Sequence, residues 1–310
     1  MLRLSTLVLL AVAAPAQETP TFQVDVRLVN VIATVKDSSG RPIGELERAN
    51  FRMLAGGVVQ EIAVFERQTD RPLSVAVLFD ASLSVAKELR FEQEAALRFL
   101  RNLLGKGAHP ADRVAVYSFS SFVDQLVTFT AAHKRLEDAV YSIRPESGTS
   151  VYDALQLAAD GLEKREGRKV IIIITDGGDT TSATSYHQAL EAVQLADAVV
   201  YSMIVVPITS DAGRNLGGEH ALRTISAATG GLWFRQHADR DLDAAFQQVL
   251  RDLRVQYLLS FYPRGVAPAP GSFQRIEVQV DRPGVQVLAR NGYYTPSEGP
   301  SANRIPRSRR

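Results

Sequence analysis

The sequence predicts an α/β fold: a Rossmann-like, doubly wound and mostly parallel sheet, flanked by β-strand segments that form a small sandwich-like domain. Two observations carry this. Between residues 72 and 256, short apolar runs alternate with stretches whose apolar residues recur every three to four positions, the pattern of strands and helices wound around a parallel sheet. On either side the period drops to two, and Gly, Pro, Asp and Ser mark the reversals.

In order along the chain, Phe22, Val24, Val26 and Leu28, then Val29, Val31, Ala33 and Val35, alternate with polar residues and read as one or two strands with a single slip. Asp37-Ser38-Ser39-Gly40-Arg41-Pro42 is turn chemistry, and Gly56-Gly57 reverses the chain between strands at 51–54 and 58–65. Residues 22–68 are thus an antiparallel β segment. Strands are then expected at 73–79, 114–119, 122–129, 170–175, 198–206 and 232–234, and helices at 86–104, 132–142, 150–165, 184–197, 218–229 and 240–255. The run Val170-Ile171-Ile172-Ile173-Ile174 has no polar face and predicts a central strand. Strand 122–129 follows its predecessor too closely for a crossover, so an antiparallel edge hairpin is expected. After 256 come strands at 257–262, 273–280 and 285–289, within a C-terminal β segment spanning 257–295. Neither flank has enough strands to bury a face alone, so the two should pair in one split sandwich carrying the α/β domain as an insertion. Residues 296–310 are polar and Arg-rich, and read as a solvated tail.

The 35 Lys and Arg nearly cancel the 34 Asp and Glu, so no overall field favours nucleic acid or an anionic membrane. With no cysteine, the chain has no disulfide, thiolate metal site or Cys nucleophile. Residues 1–16 carry Arg3, the apolar run Leu7-Val8-Leu9-Leu10-Ala11-Val12-Ala13 and then Ala14-Pro15-Ala16, the anatomy of a signal peptide cleaved after Ala16. The run is far short of the roughly 20 residues that span a bilayer. A periplasmic or secreted chain with no transmembrane segment after cleavage is therefore expected.

The chemistry gathers at three places. Asp80-Ala81-Ser82-Leu83-Ser84 sits where the first α/β strand ends, the edge at which open parallel sheets collect ligands. Gly148-Thr149-Ser150 opens a helix, and Thr175-Asp176-Gly177 ends the all-apolar strand. Taken singly, each has a plainer reading: Ser82, Ser84, Thr149 or Ser150 as helix caps, Asp176-Gly177 as a turn. Asp179 reads as a turn residue and Asp153 as a complement to its helix dipole.

In these residues, in this order, the sequence resembles the von Willebrand factor A family, whose metal-ion-dependent adhesion site pairs Asp-x-Ser-x-Ser with a Thr and an Asp on later loops. The resemblance covers about 185 residues. It implies that Ser82, Ser84 and Thr149 touch a divalent cation directly, Mg²⁺ or else Mn²⁺ or Ca²⁺, while Asp80 and Asp176 hold it through water or a longer contact. The flanks, and Arg290-Asn291-Gly292-Tyr293-Tyr294, are similar to a bacterial subgroup of A-domain proteins abundant in acidobacteria. Physical chemistry agrees with the donor set. Mg²⁺ takes about six hard oxygens and keeps several waters. Neutral hydroxyl ligands leave the cation's charge largely unquenched, so an anionic oxygen, a partner protein's Asp or Glu, is the natural incoming ligand.

Catalysis is less well supported. No Gly-x-Ser-x-Gly elbow, paired-His motif or phosphate-binding glycine loop is present, and His109, His133, His187, His220 and His237 have no metal spacing. The expectation is an exported adhesion or protein-binding module without enzymatic activity. The alternative is an envelope-associated hydrolase, or an accessory subunit of an enzyme complex, with a metal-dependent A-domain.

Overall fold

The computed structural model describes residues 28–67, 71–206, 215–237, 241–265, 269 and 271–295. The expected leader, the start of the first strand and the Arg-rich tail lie outside the described residues. The chain opens with β1 (Val29–Lys36), β2 (Phe51–Ala55), β3 (Val58–Gln60) and β4 (Ile62–Arg67). Then come β5 (Leu73–Asp80), α1 (Leu89–Leu103), β6 (Arg113–Phe119), β7 (Val123–Thr130), α2 (His133–Ser142), α3 (Val151–Glu163) and β8 (Arg168–Thr175). They are followed by α4 (Tyr186–Leu195), β9 (Ala198–Val206), α5 (Leu216–Ala228), β10 (Trp233–His237) and α6 (Asp241–Arg254). The last strands are β11 (Tyr257–Phe261), β12 (Phe273–Val280), β13 (Gln286–Ala289) and β14 (Gly292–Tyr294).

The central sheet has the order β10-β9-β8-β5-β6-β7, parallel throughout except for the β6–β7 hairpin at one edge. Its inner strands are buried on both faces because alternate residues feed two cores. Val75, Val77 and Phe79 of β5, with Val170, Ile172 and Ile174 of β8, pack toward α1, α2 and α6. Ala76, Leu78, Ile171 and Ile173 pack toward α3, α4 and α5. That two-sided burial is what the polar-free Ile run foretold.

Two antiparallel sheets flank this unit, ordered β13-β1-β11-β4 and β14-β12-β2-β3. They enclose a third core around Val31, Ala33, Met53, Leu259 and Phe261. Chain segments from before and after the α/β unit pair in both sheets, as the sequence predicted, alternating in the first and meeting at β12–β2 in the second. In particular β11 pairs with β4 so that Tyr257 faces Arg67. The Tyr257 hydroxyl donates to the Ile43 carbonyl at 2.7 Å and accepts the Leu46 N–H at 3.1 Å, satisfying a polar group inside this core.

Two details depart from the sequence reading. The strand expected at 58–65 is broken at Glu61: β3 pairs with β2 in one sheet and β4 with β11 in the other. The chain crosses between sheets there, which alternation alone does not reveal. The Gly292-Tyr293-Tyr294 motif, not expected as a strand, forms β14 against β12.

The sandwich is fastened to the α/β unit by polar contacts. The Lys36 ammonium on β1 pairs with Asp252 on α6 at 2.7 Å, both side chains being buried. Asp252 also accepts the Gln248 amide at 2.7 Å. Burial pushes the Asp252 carboxyl up, and Lys36 pulls it back. The buried Arg290 guanidinium pairs with Asp197 and donates to the Gln194 carbonyl at 3.0 Å, while the Asn291 N–H donates to the Ala228 carbonyl at 3.0 Å. Gly230, at φ +82°, lets this segment approach: a Cβ there would sit 2.8 Å from the Ala289 backbone.

Replacing Lys36 by Met should therefore destabilise the protein by about 3–5 kcal/mol, because it strands a buried carboxylate. The double variant Lys36→Met/Asp252→Leu should recover most of the loss in urea unfolding. Equal losses in the two would show that the pair holds nothing together.

Candidate metal centre at the carboxyl edge of the central sheet

β5 and β8 are hydrogen-bonded neighbours, so the residues that end them, Asp80 and Thr175-Asp176, emerge side by side. Asp80 is completely buried. One of its oxygens accepts the Ser82 N–H at 2.8 Å and the other accepts the Thr175 hydroxyl at 2.6 Å. The Thr175 oxygen in turn accepts the Gly177 N–H at 3.0 Å. A single carboxylate thereby fixes the start of one loop and the root of the next. Burial pushes the Asp80 carboxyl up to about 6, against the pull of the Ser82 and Thr175 hydrogen bonds, with Asp176 adding to the rise.

The Ser82 and Ser84 hydroxyls stand 2.9 Å apart, Ser82 buried and Ser84 exposed. Helix capping does not use them. Ser82 precedes a 3-10 turn, Leu83–Val85, without a side-chain cap bond, and α1 starts only after Glu88. Ser150 likewise makes no cap bond at the start of α3, and its hydroxyl faces the Ser121 carbonyl at 3.2 Å.

The loop before α3 is stitched to the first. The Glu146 N–H donates to the Ala81 carbonyl at 2.7 Å, and Glu146 forms a bridge with Ser82. The Ser121 N–H and hydroxyl both donate to the Ser147 carbonyl, at 3.0 and 2.7 Å. Gly148, at φ +80°, permits this approach, since a Cβ there would lie 2.1 Å from the Ser121 Oγ. Thr149, buried, is clamped by the third loop. Its N–H donates to the Thr180 hydroxyl at 3.0 Å, and its carbonyl accepts the N–H groups of Thr180 and Thr181 at 2.8 and 3.1 Å. Asp176 is half-buried and accepts the Gly178 N–H at 3.1 Å. Backbone bonds thus draw the loops bearing Asp80, Ser82, Ser84, Thr149 and Asp176 to one rim.

Asp179 and Asp153 have structural duties beyond those expected of them. Asp179 accepts the Ser182 hydroxyl at 2.6 Å and the Tyr152 N–H at 3.3 Å. Asp153 accepts the Ala183 and Thr184 N–H groups at 3.0 and 2.8 Å, pinning the loop before α4.

Every donor at this rim is a hard oxygen. Among the described residues, no group of three or more His, Cys, Asp or Glu side chains could hold a metal ion, so the loops do not build a carboxylate or imidazole cage. Hydroxyls with two carboxylates beside them suit a cation that retains water, as Mg²⁺ does. Both Asp80 oxygens are engaged inward, which fits an acid that orients ligands rather than one that binds metal itself.

Sequence reading missed two features of this region. Thr175 is one, its hydroxyl on Asp80. Glu92 is the other: fully buried on α1, its carboxyl is held well above the usual range by burial first, then by the charges of Asp80, Glu88 and Asp176. A signal existed, because Glu92 falls at helical spacing from Leu89, Ala96 and Phe99, where an acid is out of place.

Residues 75–179 match the family model of the von Willebrand factor type A domain. In structure the chain is similar to the von Willebrand factor domain of the type V pili tip protein Mfa5 from Porphyromonas gingivalis, at 14% identity and a TM-score of 0.51, covering 64% of this chain and 99% of that one. It is also similar to the pilus adhesin SpaC from Lactobacillus rhamnosus GG in its open conformation, at 9% identity and a TM-score of 0.51. That match covers 82% of this chain and 49% of the adhesin. A third similar structure is BatB, a conserved hypothetical protein from Bacteroides thetaiotaomicron, at 20% identity and a TM-score of 0.45, covering 58% and 98% of the two chains. At these identities the likeness shows the fold alone. No protein of curated function matches the sequence.

The raised Asp80 carboxyl has a thermodynamic consequence. Its affinity for a proton is higher folded, at about 6, than for an ordinary Asp at 3.8. Without metal, ionising it therefore costs stability, by almost nothing at about pH 3 and by roughly 3 kcal/mol at neutral pH. In chelator, the stability of Asp80→Asn relative to wild type should rise between about pH 3 and pH 6 and level off above that. A difference independent of pH in urea unfolding would rule this out.

Proposed function

We propose, on the premise that this chain carries a von Willebrand factor type A domain, that it is an exported protein-binding module whose rim holds a divalent cation, and that this cation captures an acidic side chain of a partner protein. The observation that carries the reading is the gathering of three loops by backbone bonds while the Ser82 and Ser84 hydroxyls go unused as helix caps. Ser82, Ser84 and Thr149 would be the direct ligands, with Asp80 and Asp176 orienting them and their waters. The bound cation, Mg²⁺ by preference and Mn²⁺ or Ca²⁺ as substitutes, would supply an electrophilic seat for a carboxylate oxygen.

The residues themselves do the positioning. Asp80 fixes the Ser82 backbone and the Thr175 hydroxyl, and the third loop clamps Thr149. Binding rather than catalysis is favoured because Asp80, Asp176 and Asp179 are each tied by hydrogen bonds to their own loops. The similarity to proteins named as a pilus tip protein and a pilus adhesin supports an adhesive role. Among the described residues, no helix is long and apolar enough to cross a membrane.

Calorimetry on chelator-treated protein should show saturable Mn²⁺ and Mg²⁺ binding, weakened about 10–100-fold or more by Asp80→Ala. No heat with either ion would overturn the reading. Capture of a partner from the native envelope should require metal and be lost in chelator. N-terminal sequencing of protein recovered from that envelope should begin at Gln17, and an intact Met1 would remove the export step.

A further inference from the structure

Helix α1 lays an apolar face on the central sheet, formed by Leu89, Ala96, Phe99 and Leu103 among others. Glu92 lies in the middle of that face and has no solvent exposure. Neither of its carboxylate oxygens has a hydrogen-bond partner among the described residues. The basic residues of α1 are engaged or turned elsewhere: Arg90 pairs with Glu94, Arg98 pairs with Asp243 on α6, and Arg101 is exposed. An acid buried without a bond or a counter-charge is among the costliest arrangements a protein core can contain, and it persists where something else compensates it.

The position of Glu92 indicates what that is. The charges it feels are those of Asp80 and Asp176, the acids that end β5 and β8, and of Glu88, buried one helical turn earlier. The acids that end β5 and β8 thus act electrostatically on the buried face of α1, the helix that follows the first loop of the rim. Among the described residues no Lys or Arg forms an ion pair with Asp80, Asp176 or Glu92. The positive charge that would balance them is the cation the rim is built to take.

Resting on the metal reading of that rim, we propose that Glu92 belongs to the metal centre as a positioning residue, a carboxylate on its core side whose charge the bound cation compensates. It is placed behind the direct ligands, since among the described residues no three such acids come together as a metal cage. It acts through the field it adds and through the waters and ligands it orients. Two properties follow. Cation affinity depends on a residue buried in α1, and cation binding removes the penalty of burying that residue. Docking of α1 on the sheet is thereby linked to occupancy of the rim.

The test uses the full chain and Mn²⁺ alone. Glu92→Gln keeps the shape and removes the charge, and Glu92→Leu removes both charge and polarity, so the reading survives if one of them fails to fold. Each should weaken Mn²⁺ binding by about tenfold or more in calorimetry, as the loss of an orienting partner does. Each should also raise the melting temperature of the metal-free protein and shrink the further rise that Mn²⁺ produces. A merely space-filling Glu92 would leave Mn²⁺ affinity at the wild-type value, and that result in either folded variant overturns the assignment while leaving the metal site intact. A wild-type protein silent toward Mn²⁺ would instead overturn both.

Discussion

A strand covered by helices on both faces can carry polar chemistry only where it ends. From Val75 to Phe79 and from Val170 to Ile174, β5 and β8 are apolar and completely or almost completely buried, feeding two separate cores with alternate residues. The first positions free of that demand are Asp80 and Thr175-Asp176, and because the strands are adjacent and parallel these positions coincide in space. Everything at the rim follows from this. The Asp80 carboxylate, still too deep for water, is satisfied by a hydroxyl and an N–H from its own neighbourhood, and those bonds shape the loops. The serines of the first loop are left facing one another instead of capping a helix.

The same logic of local satisfaction explains how a chain without cysteine holds two units together. Buried charge at the junction is paired in place, Lys36 with Asp252 and Arg290 with Asp197. The Arg290-Asn291-Gly292-Tyr293-Tyr294 segment has a definite duty in this. Its first two residues fasten to the ends of α4 and α5, and its last three complete an edge of the sandwich as β14. Glu92 is the exception among the fully buried acids, since it has no such partner among the described residues.

Much of the architecture was legible because it is written in periodicity. The Ile run of β8 could be nothing but a central strand, and the tight connection before β7 forced a hairpin. The residue types at the rim, and their order, were legible for the same reason: strand ends can be located even when their contacts cannot. What could not be read depends on residues distant in sequence. Glu61 marks a crossing between sheets only because β3 and β4 find different partners, in β2 and β11. The Thr175 bond to Asp80 joins residues 95 positions apart. Glu92 betrays itself by its place on the apolar face of α1, but that Asp80 and Asp176 act on it could not be read, since they come from two other elements.

The register between β4 and β11 has an implication for how such a molecule can be rearranged. Arg67, before the α/β unit, and Tyr257, after it, face one another across a single antiparallel pair, a strand spacing of about 4.8 Å apart. The intervening chain leaves and re-enters through one gap that a tight hairpin turn could close. Topologically the α/β unit is a cassette: excising it would leave both sandwich sheets with their strand order unchanged, and exchanging it would alter what the molecule grips without redrawing the scaffold that presents it.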